Sequence, residues 1–80
     1  MFELAKLLRK YRIDLNVHVT RDGKLIKYSW KKGMYPGGLT FNFNELESLL
    51  PEEFEGRLIN SIETWAETVE LLENTNPAWW

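Results

Sequence analysis

From Ile13 to Lys31 the chain alternates apolar and polar residues on either side of an Asp22-Gly23 pair. Few patterns constrain a fold more. A period of two marks a strand with one buried face. Asp-Gly is the preferred pair for a two-residue type I′ turn, because both central residues then need positive φ. With that turn closed, Arg21 faces Lys24 and Thr20 faces Leu25. Val19 then faces Ile26, Val17 faces Tyr28 and Leu15 faces Trp30. On the other face His18 meets Lys27, Asn16 meets Ser29 and Asp14 meets Lys31. A slip of one residue would turn every side chain to the wrong face, so this register is strongly specified.

The pairing bears on the mixed stretch Lys24–Gly38, KLIKYSWKKGMYPGG. Lysines beside aromatic rings suit a surface that stacks bases and grips phosphates. In the hairpin, Ile26, Tyr28 and Trp30 turn inward while Lys27, Ser29 and Lys31 turn outward. The rings and the charges then lie on opposite faces, and only Lys32, Met34 and Tyr35 remain to bring them together.

The flanks read as follows. Leu4, Leu8 and Tyr11, with Ala5 beside them, form an apolar stripe at helical spacing over residues 2–11. Gly33–Gly38 is a loop by composition. Leu39, Phe41 and Phe43 alternate with Thr40 and Asn42 as a third strand. Asn44, followed three residues later by Glu47, suits a helix N-cap. The short helix that follows, ELESLL, runs to Pro51, which either ends it or opens the next. Gly56 is expected to interrupt. From Arg57 onward Leu58, Ile62, Trp65, Val69 and Leu72 recur at helical spacing, giving an amphipathic helix of about 17 residues. The expectation is one small α+β domain over residues 1–80. It has an N-terminal helix, a three-stranded antiparallel meander, a short helix and a long C-terminal helix packed on one sheet face. Residues 75–80 form a C-terminal tail, whose Trp79-Trp80 pair either plugs the core or anchors a partner.

Charge is unevenly spread. Nine of the ten basic residues lie in positions 1–38 and nine of the twelve acids in positions 39–80. That dipole either steers a charged partner or holds the two halves together. There is no cysteine, which excludes disulfides, thiolate metal sites and a cysteine nucleophile. With no signal-like start and no long apolar run, neither secretion nor a membrane span is expected, and the expected compartment is the cytoplasm.

No catalytic constellation emerges. His18, the single histidine, sits opposite Lys27, which disfavours a cation there. Ser29, Ser48 and Ser61 lack a base and a supporting acid. Gly33, Gly37 and Gly38 lack the Lys-Ser/Thr and helix start of a phosphate loop. No acidic cluster has the spacing of a calcium loop. Neither a metal, a cofactor nor an enzymatic activity is expected.

Three segments nevertheless carry a resemblance: NVHVTRDGKLIK (Asn16–Lys27), NELESLL (Asn44–Leu50) and EGRLINSIETWAE (Glu55–Glu67). They resemble the hairpin, first-helix and second-helix segments of a small phage anti-CRISPR family, the type I-F inhibitors. The resemblance covers about half the chain and implies a small α+β domain that binds a CRISPR surveillance complex and blocks pairing of target DNA with the guide. In that family a tyrosine and acidic groups on the sheet side make the contact. Here the matching hairpin position is Thr20, and Lys31 stands where an acid belongs, so those binding residues do not carry over.

The resulting expectation is a non-enzymatic protein-binding module, an inhibitor encoded by a phage or mobile element. Its docking surface comprises Asn16, His18, Thr20, Arg21, Lys27, Ser29, Lys31, Met34 and Tyr35. Three other readings stand beside it. Glu63, Glu67 and Glu70, at helical spacing, could imitate a phosphate backbone. The basic half, with Lys6, Arg9, Lys10, Arg12, Lys27 and Lys31, could bind nucleic acid. A strand edge or Trp79-Trp80 could form a homodimer.

Overall fold

A computed structural model describes residues 2–75, with the side chains of Phe2 and Thr75 outside the description. The elements run α1 (Phe2–Tyr11), β1 (Asn16–Val19), β2 (Leu25–Lys32), β3 (Tyr35–Asn42), α2 (Phe43–Ser48) and α3 (Pro51–Thr75). The strands form an antiparallel sheet in the order β1-β2-β3. Architecture and class are those the sequence implies. The expected tail lies outside the described residues, apart from Thr75, which ends α3.

The hairpin register is as read: Asn16 pairs with Ser29, Val17 with Tyr28, His18 with Lys27 and Val19 with Ile26. The turn differs from the type I′ expectation. Gly23 has φ 71° and Asp22 stays out of the positive-φ region. The Gly23 N–H donates to the Thr20 carbonyl at 2.9 Å, and the Thr20 N–H to the Leu25 carbonyl at 3.0 Å. A longer loop therefore closes on Thr20 and Leu25. Side-chain chemistry selects it. The Thr20 hydroxyl donates to Asp22 Oδ1 at 2.6 Å and accepts from the Leu25 N–H, while the same carboxylate oxygen accepts from the Lys24 N–H. Those bonds, the Thr20 hydroxyl first, hold the Asp22 carboxyl below the usual carboxylate range.

α1 ends in a Schellman motif. Arg12 takes φ 56°, the Ile13 N–H reaches the Leu8 carbonyl at 3.0 Å and the Arg12 N–H reaches Arg9 at 3.2 Å. Leu8 also packs against the cluster that buried Ile13 forms with Trp30 and Ile62.

Three expectations past residue 32 are corrected. Residues 33–38 are not a loop, because β3 already starts at Tyr35 and pairs Lys32 with Tyr35 and Lys31 with Pro36. Gly33, at φ 60°, makes the reversal in two residues, the pattern of a type II′ turn. Pro36 is tolerated because β3 is an edge strand and needs no N–H on its outer side. The cap of α2 is Asn42, not Asn44: its side chain accepts from the Glu45 N–H at 2.7 Å. Gly56 does not interrupt, since α3 is continuous from Pro51. Pro51 opens α3, with the Phe54 N–H bonding the Leu50 carbonyl and Glu53 accepting from the Leu50 N–H.

A Cβ at Gly56 meets no atom within 4 Å, and its φ is not positive. Gly56→Ala is therefore expected to raise stability by about 0.5–1 kcal/mol, through higher helix propensity and a less flexible unfolded chain. A urea midpoint equal to or below that of the parent would count against it.

α3 packs along β3 and α1 lies against α3. The core is Ile13, Trp30, Phe41, Leu58, Ile62, Ala66 and Val69. At one end Tyr28, Phe41 and Phe54 stack edge-on or tilted, with ring centroids 5.2–6.0 Å apart. At the other, Trp30 meets Trp65 edge-to-face at 6.1 Å. Burial pushes the Tyr28 phenol above its ordinary pKa. The helices do not cover the whole apolar face. Val17 and Val19 point to the helix side yet remain 56% and 46% exposed. Leu72, expected in the buried stripe, is also exposed. α3, at 25 residues and so ~37 Å, outreaches strands of 8 residues and ~27 Å.

Candidate functional site

The pleat sorts the sheet into two faces. Ile26, Tyr28, Trp30, Leu39 and Phe41 turn toward the helices. Asn16, His18, Lys27, Ser29, Lys31 and Thr40 turn away, and all six are exposed. No described helix is packed on that second face, so it is open. His18 lies opposite Lys27 and Lys27 opposite Thr40. Ser29 lies between Asn16 and Gly38, so the middle of the face is flat and small-featured, with lysines above and below along β2. Among the described residues neither Lys27 nor Lys31 has an ion-pair partner. These two ammonium groups, on one strand, make this face a cationic platform.

The remaining candidate residues are placed differently. The hydroxyl of Thr20 is used inside the turn. Arg21 is exposed at the hairpin tip, beside the edge of the open face. Met34 is 78% exposed at the opposite end of the sheet. Tyr35 pairs with Lys32 and shares the helix side with Trp30, so it does not extend the open face. On β2, Tyr28 and Trp30 therefore stay apart from Lys27 and Lys31, and Trp30 is only 2% exposed. The open face presents no exposed ring beside its lysines.

The basic residues of α1 do not join the platform either. Leu4, Leu7, Leu8 and Tyr11 hold α1 on the helix side of the sheet, and Lys6, Arg9 and Lys10 are exposed there. Positive charge is thus split between two opposite faces. Glu63, Glu67 and Glu70 are exposed on α3. The exposed Arg57–Glu45 pair, at 3.3 Å, links α3 to α2, and such surface pairs contribute little.

Two grooves lie on the helix side. One, of about 510 Å³, runs between Lys10, Tyr11 and Lys32 on one wall and Trp65, Val69, Glu70 and Glu73 on the other. The second, of about 440 Å³, is bounded by Gly37, Gly38, Asn60, Ser61, Thr64 and the two tryptophans. The Trp30 and Trp65 indole N–H groups beside it are buried with no hydrogen-bond partner among the described residues. No cluster of three or more metal-ligating side chains occurs among the described residues. No described helix is long and apolar enough to cross a membrane.

Sequence reasoning raised a strand edge as a homodimer contact but did not single out β1, whose outer side no described element pairs with. The signal was present, since a three-stranded meander must have two edges and the first strand carries neither proline nor lysine. Comparison with family models, curated proteins and solved structures finds no match for this chain.

Proposed function

We propose that this chain is a non-enzymatic protein-binding module that docks on a larger complex through the open face of its sheet. One observation carries the reading: Lys27 and Lys31 stand without ion-pair partners among the described residues, on a face that no described element covers. The strand backbone beneath these cations is pre-ordered, so little backbone freedom is lost on docking. The complementary surface is acidic. The order of hairpin and two helices further supports an inhibitor of the anti-CRISPR type, with a CRISPR surveillance complex as the target and the bacterial cytoplasm as the place of action.

The test is binding of a purified type I-F surveillance complex to the parent chain and to the Lys27→Glu/Lys31→Glu double variant. The expected result is at least tenfold weaker binding, with stability changed by no more than about 0.5 kcal/mol, as for exposed positions. Undiminished binding by the variant would show that the open face is the wrong surface. No binding by the parent would remove the anti-CRISPR assignment.

The nucleic-acid reading loses support from the split of positive charge and from the burial of Trp30. A basic groove that neutralises several phosphates makes log affinity fall steeply with log salt. For this chain, titration with random duplex is expected to show only weak binding. The acidic row on α3 remains the second docking face, and Glu67→Lys reads it separately from the lysines.

A further inference from the structure

We propose that the free edge of β1 receives an extended partner segment as a fourth strand, and that this segment alternates apolar with acidic residues. The proposal rests on the protein-binding reading and adds a docking mode and a partner chemistry to it.

The backbone gives the first argument. β1 is an edge of the sheet. The Thr20 N–H donates to the Leu25 carbonyl across the hairpin. In an antiparallel pair the inward groups alternate, so His18 and Asn16 also face β2, while Val17 and Val19 present their N–H and C=O outward. The side chains of those same two residues are 56% and 46% exposed on the apolar side. Hydrogen-bonding capacity and uncovered apolar surface thus coincide, as strand addition requires.

The second argument is the contrast between the two edges. Native sheets guard an edge with proline, lysine, a bulge or a covering element. β3 carries Pro36 and has α3 packed along it. β1, with the sequence NVHV, has neither proline nor lysine, and its register with β2 runs without a bulge.

Charge selects the occupant. On the open face β1 carries His18, with Lys27 opposite it, Lys31 two residues past Ser29 on β2, and Arg21 and Lys24 in the turn. The acids of this stretch are Asp14 and Asp22, and the Asp22 carboxylate is already engaged by Thr20 and Lys24. The β1 sequence NVHV carries no acid, so a second copy joined through its own β1 offers Lys27 no complementary charge. An acidic residue on an added strand, one strand spacing from His18 and two from Lys27, lies ~5 and ~10 Å away, within reach of a glutamate and an extended lysine. Its apolar neighbours in the added strand fall against Val17 and Val19.

The test uses an eight-residue peptide alternating valine and glutamate, titrated into the isotopically labelled chain at neutral pH, with the valine–lysine peptide as control. The expected result is a one-to-one complex in which the Val17 and Val19 amides exchange at least tenfold more slowly. Binding of the lysine peptide should be at least tenfold weaker. Val17→Pro, which removes an outward N–H and no bond to β2, should weaken binding at least tenfold while keeping a folded spectrum. Val19→Lys, which guards the edge but keeps every backbone group, is the second variant should the proline disturb the strand. Equal binding of both peptides, unchanged binding by a folded edge variant, or absence of protection at Val17 and Val19 would each overturn the proposal. Protection that grows with protein concentration without peptide would also overturn it, because the occupant is then a second copy. A failed peptide titration alongside a Lys27/Lys31-dependent interaction with the surveillance complex would remove the edge proposal and leave the open-face reading standing.

Discussion

Trp30→Ala is expected to bring the protein to the brink of unfolding at room temperature. Trp30 is 2% exposed and joins Ile13 and Ile62 in the cluster on which Leu4, Leu7, Leu8, Tyr11, Leu15 and Trp65 pack. It is the piece of β2 that ties both long helices to the sheet. Removing a buried indole costs about 3–5 kcal/mol, from lost transfer free energy and from the cavity left behind. A domain of 80 residues has a total stability of about 4–12 kcal/mol. The loss is thus of the same order as the whole. Trp30→Phe provides the contrast. It keeps an aromatic ring and deletes an indole N–H that is buried without a partner, so part of the packing loss is offset by removing an unmet donor. Urea unfolding followed by far-ultraviolet circular dichroism measures both variants. The account fails should the alanine variant unfold within 1 kcal/mol, roughly, of the parent, far below the range for a buried aromatic.

Gly37→Ala is expected to destabilise by about 1–3 kcal/mol, the usual range for forcing extra volume into a packed site. An added Cβ would stand 2.2 Å from Trp30 Nε1, 2.7 Å from Trp30 Cε2 and 2.8 Å from Trp65 Cδ1. Real Cβ atoms do not approach so closely, so the two indoles must move, and their edge-to-face contact moves with them. The φ of Gly37 is not positive, so the cost is one of space rather than backbone conformation. Gly38→Ala is the control: its nearest contact is the Tyr28 carbonyl oxygen at 3.1 Å, a milder crowding. A larger loss at Gly38 than at Gly37 would contradict this reading. The tryptophan emission of Gly37→Ala should change as well, because the displaced rings are two of the chain's four.

The candidate site was legible to the extent that it depends on alternation. Lys27, Ser29 and Lys31 could be assigned to one face from the hairpin pattern, because a period of two leaves no other arrangement for Tyr28 and Trp30. Tyr35 could not. A Tyr-Pro-Gly-Gly run has the composition of a loop, yet Gly33 completes the reversal so early that Tyr35 and Pro36 already pair with β2. Once in the strand, Tyr35 takes the helix side by parity with Lys32. The Schellman end of α1 was hidden for a related reason: a glycine normally announces it, and here Arg12 adopts the left-handed conformation because buried Ile13 secures the turn.

Local chemistry sufficed for what repeats along the chain: the antiparallel register of β1 and β2, the helical stripes of α1 and α3, and the α+β order of elements. Those patterns depend on neighbours two to four positions apart, which any sequence displays. Coverage is different, because it depends on how a helix of ~37 Å lies across three strands. The helices bury Trp30 and Phe41 but leave Val17, Val19 and Leu72 in solvent, although all five belong to apolar stripes of the same quality. Periodicity states which way a side chain points; only the placement of the helices decides whether anything is there to meet it.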